Sequence, residues 1–283
     1  MVAAEPFRSS GLAEGLFGSP EEAAAGHDET LSFSVKEVRE LLSPSRSLDP
    51  SFLAKLTRDP RKTVRMMAYR AFNRNRNLAS NEDIFRVGGI RSVAGADEAG
   101  RGALAGPLVA AAVVFPPGVV VDGVNDSKLL SPERRAELYQ RIMEKAECVS
   151  VSFIDAGLID RWGLQLVNYM ALGDAVAGLS GRCQCLVCDH FSLRGLSFPA
   201  FGIPKADATF HSVASASIVA KVERDRVMIS LHGRIPRYNF RQNKGYATEE
   251  HLTALAVYGP SRYHRMSFHG VGFEDDDYRL WED

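Results

Sequence analysis

Two adjacent carboxylates, Asp97 and Glu98, stand at the end of an apolar stretch that is predicted to be a buried β-strand. Neighbouring acids in such a place repel each other and are poorly hydrated, so they need a proton or a cation. A hard divalent metal ion meets both needs, because carboxylate oxygens are its preferred ligands. Taken alone, the pair could instead lie in an exposed turn without function.

Glycines follow the acidic pair at Gly100, Gly102 and Gly106, with Arg101 between the first two. Glycine leaves backbone N–H groups open to close approach by a phosphate or a sugar, and arginine offers a charged fork of donors. This setting favours a functional interpretation of the acidic pair.

Two further carboxylates occupy positions where active sites form. Asp189 ends the apolar run 184–188, which is predicted to be a buried strand, and Asp207 shortly precedes a long predicted helix. Active sites of open α/β sheets gather at the carboxyl ends of strands. Either residue alone could simply cap a turn.

Five segments, taken in order, resemble the type 2 ribonuclease H family, and in particular ribonuclease HII. They are Asp97-Glu98-Ala99-Gly100-Arg101-Gly102, Asn125-Asp126-Ser127-Lys128, Ala216-Ser217-Ile218-Val219-Ala220-Lys221-Val222, Lys244-Gly245-Tyr246-Ala247-Thr248 and His264-Arg265-Met266-Ser267-Phe268. The resemblance runs from about Val93 to Phe268. A chance match to all five in this order is implausible, so the chain is identified as a member of that family.

The resemblance implies an α/β fold, with the mixed sheet of ribonuclease H flanked by helices and a small helical N-terminal extension. It implies a metal-dependent endonuclease that cuts the RNA strand of RNA–DNA hybrids and cuts 5′ to single ribonucleotides in duplex DNA. Two Mg²⁺ or Mn²⁺ ions would serve the reaction, leaving 3′-hydroxyl and 5′-phosphate ends. By motif match, the catalytic and metal-binding residues would be Asp97, Glu98, Asp189 and Asp207.

The family reads its substrate with residues whose matches here are Gly100, Arg101, Gly102, Tyr246, Lys244 and Arg224. Backbone groups of the Gly-Arg-Gly segment would contact the 2′-hydroxyl, which distinguishes RNA from DNA. The tyrosine would pack against the adjoining deoxyribose, and the lysine and Arg224 would contact phosphates. Two alternatives stay open: a ribonuclease HIII-like enzyme that needs a run of ribonucleotides, and a non-catalytic binder of hybrids.

The chain is predicted to have four parts: a disordered tail (1–30), a helical basic extension (31–85), a catalytic domain (90–270) and an acidic tail (271–283). The stretch from Lys55 to Arg91, most of which lies in the extension, contains ten basic residues, although the whole chain has a net charge of −1. A basic surface that binds nucleic acid is therefore possible, and so is an ordinary solvated helix face. In the catalytic part we predict strands at 93–97, 108–115, 148–153 and 184–189, and helices at 132–146, 164–177 and 212–231.

Composition indicates a cytoplasmic protein without a membrane partner, since the chain has no long uncharged apolar run and no signal-peptide pattern. We further expect a monomer that acts in DNA replication and ribonucleotide excision repair. The four cysteines are expected to be free thiols. A zinc site of Cys183, Cys185, Cys188 and His190 is disfavoured, because alternation along a strand points Cys185 and Cys188 to opposite faces.

Overall fold

The computed structural model describes residues 33–43, 90–124, 130–191 and 193–271, together with positions 56, 61, 63, 64, 67, 82, 85 and 127. The predictions for the first 30 residues, for most of 44–89 and for the acidic tail after Val271 lie outside the described residues. So do Asn125, Asp126 and Lys128 of the second family segment.

A five-stranded mixed sheet forms the centre of the described chain. Its strands are β1 (Val93–Ala99), β2 (Leu108–Val114), β3 (Cys148–Ile154), β4 (Cys185–Asp189) and β5 (Ala200–Ile203). Their spatial order is β3-β2-β1-β4-β5, with antiparallel pairing from β3 to β1 and parallel pairing from β1 to β5. The predicted mixed sheet is thereby confirmed. Sequence reasoning missed β5, because its four residues include a glycine and follow an irregular segment.

Seven α-helices are described around the sheet. They are α1 (Val35–Leu41), α2 (Pro132–Lys145), α3 (Ala156–Trp162), α4 (Leu164–Ala177), α5 (His211–Arg234), α6 (Phe240–Asn243) and α7 (Glu249–Tyr258). The predicted helices at 132–146, 164–177 and 212–231 agree with α2, α4 and α5 to within three residues at each end. Side-chain caps fix several starts, since Ser131 Oγ accepts from the Arg134 N–H and Ser34 forms a capping box with Glu37.

Each face of the sheet is covered by different helices. Side chains at even positions of β1, such as Ala94 and Ala96, pack against α4, and those at odd positions face α5. The glycine at position 95 allows α5 to lie directly on the sheet, because a Cβ there would be 2.2 Å from backbone atoms of Ser212 and Val213. The close approach brings the polar residues of α5 beside the end of β1.

The described residues of the N-terminal extension pack onto the same domain. Val38, Leu56, Val64 and Phe85 are fully buried in a cluster that also contains residues of β4 and β5. Glu82 is 3% exposed, and its Oε1 accepts a 2.6 Å hydrogen bond from the backbone N–H of a first-turn residue in α5. The extension therefore contributes to the setting of α5.

Within the residues that the structure describes, no helix is both long enough and apolar enough to cross a membrane.

Candidate active site

The predicted carboxylates lie at the carboxyl ends of neighbouring strands. Ala96 of β1 pairs with Cys188 of β4, so Asp97 and Asp189 follow one residue later on adjacent parallel strands. The Ala206 N–H donates to Asp189 Oδ1 at 3.1 Å, and the 3% exposed Asp207 is the next residue along the chain. We call Asp97, Glu98, Asp189 and Asp207 the acidic edge.

Burial and mutual repulsion disfavour the charged forms of the acidic pair. The pKa of Glu98 is raised to about 8, chiefly by burial and next by the nearby Asp97 carboxylate, while the Arg101 guanidinium acts in the opposite direction. The pKa of Asp97 is raised to about 6, chiefly by burial, although the ammonium of Lys221 favours the charged form. Strong shifts of this kind concentrate at functional sites.

The acidic pair is divided between the two faces of the sheet. Asp97 faces α5, whereas Glu98 faces α4, where the amide of Asn168 lowers its pKa slightly. Glu98 Oε1 is 3.6 Å from the Arg101 guanidinium, but no residue that the structure describes forms a hydrogen bond with its buried Oε2. Both amide atoms of Asn168 also lack a well-formed hydrogen bond. Buried polar atoms without partners are unusual, so this pocket has unused capacity for a cation or a water.

A lysine and two serines stand beside Asp97 on the α5 side. Lys221 Nζ donates to Ser127 Oγ at 2.7 Å and to Ser217 Oγ at 2.8 Å, and the two hydroxyls are 2.8 Å apart. A hydrogen bond from Ser217 also lowers the pKa of Asp97. Lys221 thus supplies a positive charge next to the acidic edge.

The donor set fits a hard divalent cation. It consists of carboxylate oxygens, and burial raises the pKa of two of these acids. One of the oxygens is buried and has no hydrogen-bond partner among the described residues. Across the described residues, no three Asp, Glu, His or Cys side chains are already grouped around one point as metal ligands. Asp97, Glu98 and Asp189 nevertheless lie close enough to influence each other's charge.

Residues 100–106, here called the Gly-Arg-Gly loop, connect β1 to β2 and are held by two buried arginines. Arg265 donates to the carbonyl of Arg101 at 2.9 Å and to that of Gly106 at 3.0 and 3.2 Å. Arg224 donates to the carbonyls of Ala105 at 3.1 Å and Pro107 at 3.0 Å. Both guanidinium groups belong to residues no more than 2% exposed.

Tyr246 is joined to the same loop. The carbonyl of Gly245 accepts from the N–H groups of Leu104 and Ala105 at 2.8 and 3.2 Å. The Tyr246 ring is 43% exposed, and the Arg224 guanidinium carbon lies 5.2 Å from its centre. The loop and this ring therefore form one connected unit beside the acidic edge.

Arg224 occupies a different position from the one expected of a phosphate contact. It is 2% exposed, and burial lowers its pKa. Its donors point to backbone carbonyls and its face lies near Tyr246. A basic surface residue and a buried arginine look alike in a sequence, which is why the prediction assigned it to the substrate.

Two of the glycines are required by these contacts. At Gly100, with φ of +92°, a Cβ would lie 2.0 Å from Arg224 Nε, and at Gly245, with φ of +81°, it would lie 2.4 Å from the Ala105 carbonyl oxygen. Around Gly102, by contrast, no atom lies within 4 Å of a built Cβ. That glycine is open towards the side from which a ligand would approach.

The remaining predicted residues have simpler surroundings. Lys244 is half-buried with φ of +51°, and its Nζ donates to the carbonyl of Arg241. Cys185 and Cys188 are fully buried in clusters on opposite faces of the sheet, and burial raises the pKa of both thiols. His190 adopts φ of +61° immediately after Asp189.

Several residues of the site received no role from the sequence. They are Ser127, Ser217, Lys221, His251, His264 and Arg265. All but His251 belong to the five family segments, and this membership was the only indication in the sequence that they belong to the site. Ser127 and Ser217 are 90 positions apart, Lys221 and Ser127 are 94 apart, and Arg265 and Gly106 are 159 apart, so the sequence alone could not say what these residues contact.

Comparison with known proteins decides the family. The sequence profile of the family Ribonuclease HII matches residues 94–271. The chain belongs to the ribonuclease HII family. It is 36% identical to ribonuclease HII of Bacillus subtilis, a match that covers 84% of this chain and 96% of that protein. It is 46% identical to ribonuclease HII of Geotalea uraniireducens over 69% of this chain and 90% of the relative. The chain is accordingly a metal-dependent endonuclease of the type 2 ribonuclease H class.

Solved structures agree with the fold. The ribonuclease H2 from Pyrococcus horikoshii is similar with a TM-score of 0.59 and 25% identity, covering 66% of this chain and 99% of that one. A ribonuclease HIII solved in complex with Mn²⁺ has a TM-score of 0.53 and 22% identity, covering 64% and 68%, and shows the fold alone. Ribonuclease HII and this HIII share the catalytic fold, so the fold does not separate their substrates.

Proposed function

We propose that this ribonuclease H cuts the RNA strand of RNA–DNA hybrids and also cuts duplex DNA on the 5′ side of a single ribonucleotide. One observation carries the proposal. The Gly-Arg-Gly loop and the ring of Tyr246 are held together by buried arginines directly beside the acidic edge. The loop would then recognise the 2′-hydroxyl and the tyrosine ring would pack on the next deoxyribose, both at a fixed distance from the site of cleavage.

The acidic edge supplies the chemistry in this proposal. Asp97, Glu98, Asp189 and Asp207 would hold two Mg²⁺ or Mn²⁺ ions, and Lys221 would moderate the charge of Asp97 when the ions are absent. Metal ions held there would supply an activated water and positive charge to stabilise the leaving oxygen. Because the 2′-hydroxyl is recognised and not consumed, the products carry a 3′-hydroxyl and a 5′-phosphate.

The proposed substrate residues have two kinds of role: some contact the substrate, and one positions the others. The backbone of Gly100, Arg101 and Gly102 would contact the 2′-hydroxyl, and Tyr246 would pack on the deoxyribose that follows. Lys244 lies two residues before Tyr246 in the sequence and is proposed as a phosphate contact. Arg224 is proposed to fix the Gly-Arg-Gly loop and Tyr246 relative to each other, a role that its burial favours over direct contact with phosphate.

The N-terminal extension is proposed to strengthen substrate binding through its basic residues. The match to the Bacillus subtilis relative covers 84% of the chain and therefore reaches well before residue 94, where the family profile begins. The domain boundaries, the monomeric state, the cytoplasmic location and the role in replication and repair stay predictions.

Cleavage of a labelled DNA duplex that contains one ribonucleotide, with Mg²⁺ or Mn²⁺, tests the proposal. A matched all-DNA duplex and a hybrid with a long RNA strand serve as controls. We expect a single cut on the 5′ side of the ribonucleotide and no cut in the all-DNA duplex. Cleavage of the long RNA strand alone would support a ribonuclease HIII-like enzyme, and inactivity on every substrate would indicate a hybrid-binding protein.

A further inference from the structure

Two histidines are buried together next to the backbone of Tyr246. His251 and His264 are 0% and 2% exposed, and their Nε2 atoms are 3.0 Å apart. His264 Nδ1 lies 2.9 Å from the backbone N of Ser261, and His251 Nδ1 lies 2.9 Å from the carbonyl oxygen of Tyr246. The contacts form an unbroken chain from Ser261 to Tyr246.

The hydrogen positions in this chain follow from its two ends. The Ser261 N–H can only donate, and the Ser261 hydroxyl, whose Oγ is also 2.9 Å from Nδ1, carries a hydrogen of its own, so His264 Nδ1 accepts and carries no hydrogen. The Tyr246 carbonyl can only accept, so His251 Nδ1 carries a hydrogen. With one proton between the rings, His264 Nε2–H donates to the bare His251 Nε2. A second proton on either ring would break one of these three hydrogen bonds.

The surroundings keep both rings neutral. The rings of Tyr238 and Phe240 pack against the pair, with centroid distances of 4.7 Å from Tyr238 to His264 and 5.4 Å from Phe240 to His251. Burial lowers the pKa of His251 and lowers that of His264 to about 4, where the second ring also contributes. Near pH 7 the chain of hydrogen bonds is therefore complete.

We propose that His251 and His264 act as positioning residues for Tyr246 and so set the enzyme's preference for an RNA-to-DNA junction. This inference rests on the proposed function. The preceding carbonyl, that of Gly245, is bound to the Gly-Arg-Gly loop, and the Tyr246 carbonyl is bound to His251. The backbone on both sides of the Tyr246 Cα is thereby fixed relative to the residues that would read the 2′-hydroxyl.

The contact should matter for selectivity more than for folding. The Tyr246 carbonyl also accepts from the Thr248 N–H at 2.8 Å, so its turn retains one hydrogen bond when the histidine is replaced. What is lost is the second restraint, which ties the turn to the buried pair. We therefore expect a looser ring at an otherwise intact site.

The test compares two substrates in a double-mutant cycle. We define the junction ratio as kcat/KM on a duplex with one ribonucleotide divided by kcat/KM on a hybrid with a uniform RNA strand. His251→Phe should lower this ratio about tenfold, the size expected for loss of one buried hydrogen bond. His251→Asn keeps a donor near the Nδ1 position and should recover most of it. In a Tyr246→Ala background, His251→Phe should lower the ratio no further.

His232→Phe is the matched control, because its Nδ1 makes no hydrogen bond among the described residues and it lies outside the pair. It should leave the junction ratio unchanged. An equal fall of both kcat/KM values in His251→Phe, or a further fall in the Tyr246→Ala background, would overturn the proposal. Failure of the wild type to cut the single-ribonucleotide duplex would instead refute the proposed function itself.

Histidine NMR tests the geometry without any substrate. Long-range ¹H–¹⁵N spectra at neutral pH should show His251 protonated at Nδ1 and His264 protonated at Nε2, and single substitutions assign the signals. Finding His264 protonated at Nδ1, or either ring doubly protonated at neutral pH, would overturn the proposal.

Discussion

The acidic edge and the Gly-Arg-Gly loop are neighbours, but their polar groups are satisfied to opposite degrees. At the edge, Glu98 has a buried oxygen that no described residue hydrogen-bonds, and burial raises the pKa values of Asp97 and Glu98. At the loop, Arg224 and Arg265 donate to the carbonyls that the turn leaves open. The first region is therefore suited to binding a cation, and the second supplies its own hydrogen-bond partners. Binding capacity and rigidity are thus separated within a few residues of chain.

The comparison predicts the largest effect at the edge. Asp97→Asn should lower the single-turnover cleavage rate about a thousandfold or more, because a charged ligand near the reacting phosphate is lost. The metal-free protein should keep its stability or gain some, since a buried charge is removed. Quenched-flow cleavage and thermal unfolding measure the two effects. Glu137→Gln, on the exposed surface of α2, should change neither. Undiminished cleavage by the Asp97 variant would remove this residue from the chemistry.

At the loop, the largest effect should fall on folding. Arg265→Met leaves the carbonyls of Arg101 and Gly106 buried without donors, so the free energy of unfolding should fall by about 3 kcal/mol. Urea unfolding provides the measurement. Arg262→Met removes a neighbouring but exposed arginine and should change the stability by less than about 0.5 kcal/mol. Equal stabilities of the two variants would contradict the assigned role of Arg265.

A smaller effect should appear when pH is varied without metal. Between the ordinary pKa of a glutamate and the folded value of about 8 for Glu98, the folded state holds a proton that the unfolded state has lost. Raising the pH through this interval therefore favours unfolding, and from about pH 6.5 to about pH 8 the free energy of unfolding should fall by about 1.5 kcal/mol. Saturating Mg²⁺ or Mn²⁺ should abolish the slope, and Glu98→Gln should flatten it. A stability that rises with pH in this window would refute the raised pKa.

The N-terminal extension, like the Gly-Arg-Gly loop, contains a buried polar group that is hydrogen-bonded to a distant segment of the chain. Glu82→Ala removes the acceptor for the first turn of α5 and should lower the free energy of unfolding by about 1 kcal/mol. Glu82→Gln keeps an acceptor oxygen and should cost less than half as much. Chemical unfolding of the full chain separates the two. Identical losses for both variants would show that charge, and not the hydrogen bond, matters at this position.

Much of the fold could be predicted from local patterns. The Ser131-Pro132 start of α2 and the apolar runs of β1, β2 and β4 carry their own signals, and the structure agrees with them. The strand β5 could not be found, since four residues pair only because β4 offers them an edge. The sequence of these four residues does not indicate that a neighbouring strand will be available for pairing.

The site divides in the same way. Asp97, Glu98 and Asp189 could be proposed from the sequence because acids at the ends of apolar strands are chemically conspicuous, and the structure brings these three close together, while their catalytic role stays a prediction. The placement of Arg224 could not be predicted, because whether an arginine faces solvent or a buried carbonyl depends on contacts more than a hundred residues away. The histidine pair was missed for a related reason: each ring is unremarkable until the other is placed beside it.

The hydrogen bond from α5 to Glu82 joins residues 130 positions apart in the sequence. A ribosome adds about 5 to 20 residues per second, so the extension would emerge roughly ten seconds before the helix that it caps has been synthesised. Its apolar residues, among them Leu56 and Phe85, would wait for Phe201 and Phe210 over a similar interval. The nascent chain therefore carries an apolar segment whose packing partners have not yet been synthesised. Its resistance to aggregation depends on how well that segment is shielded from solvent until translation is complete.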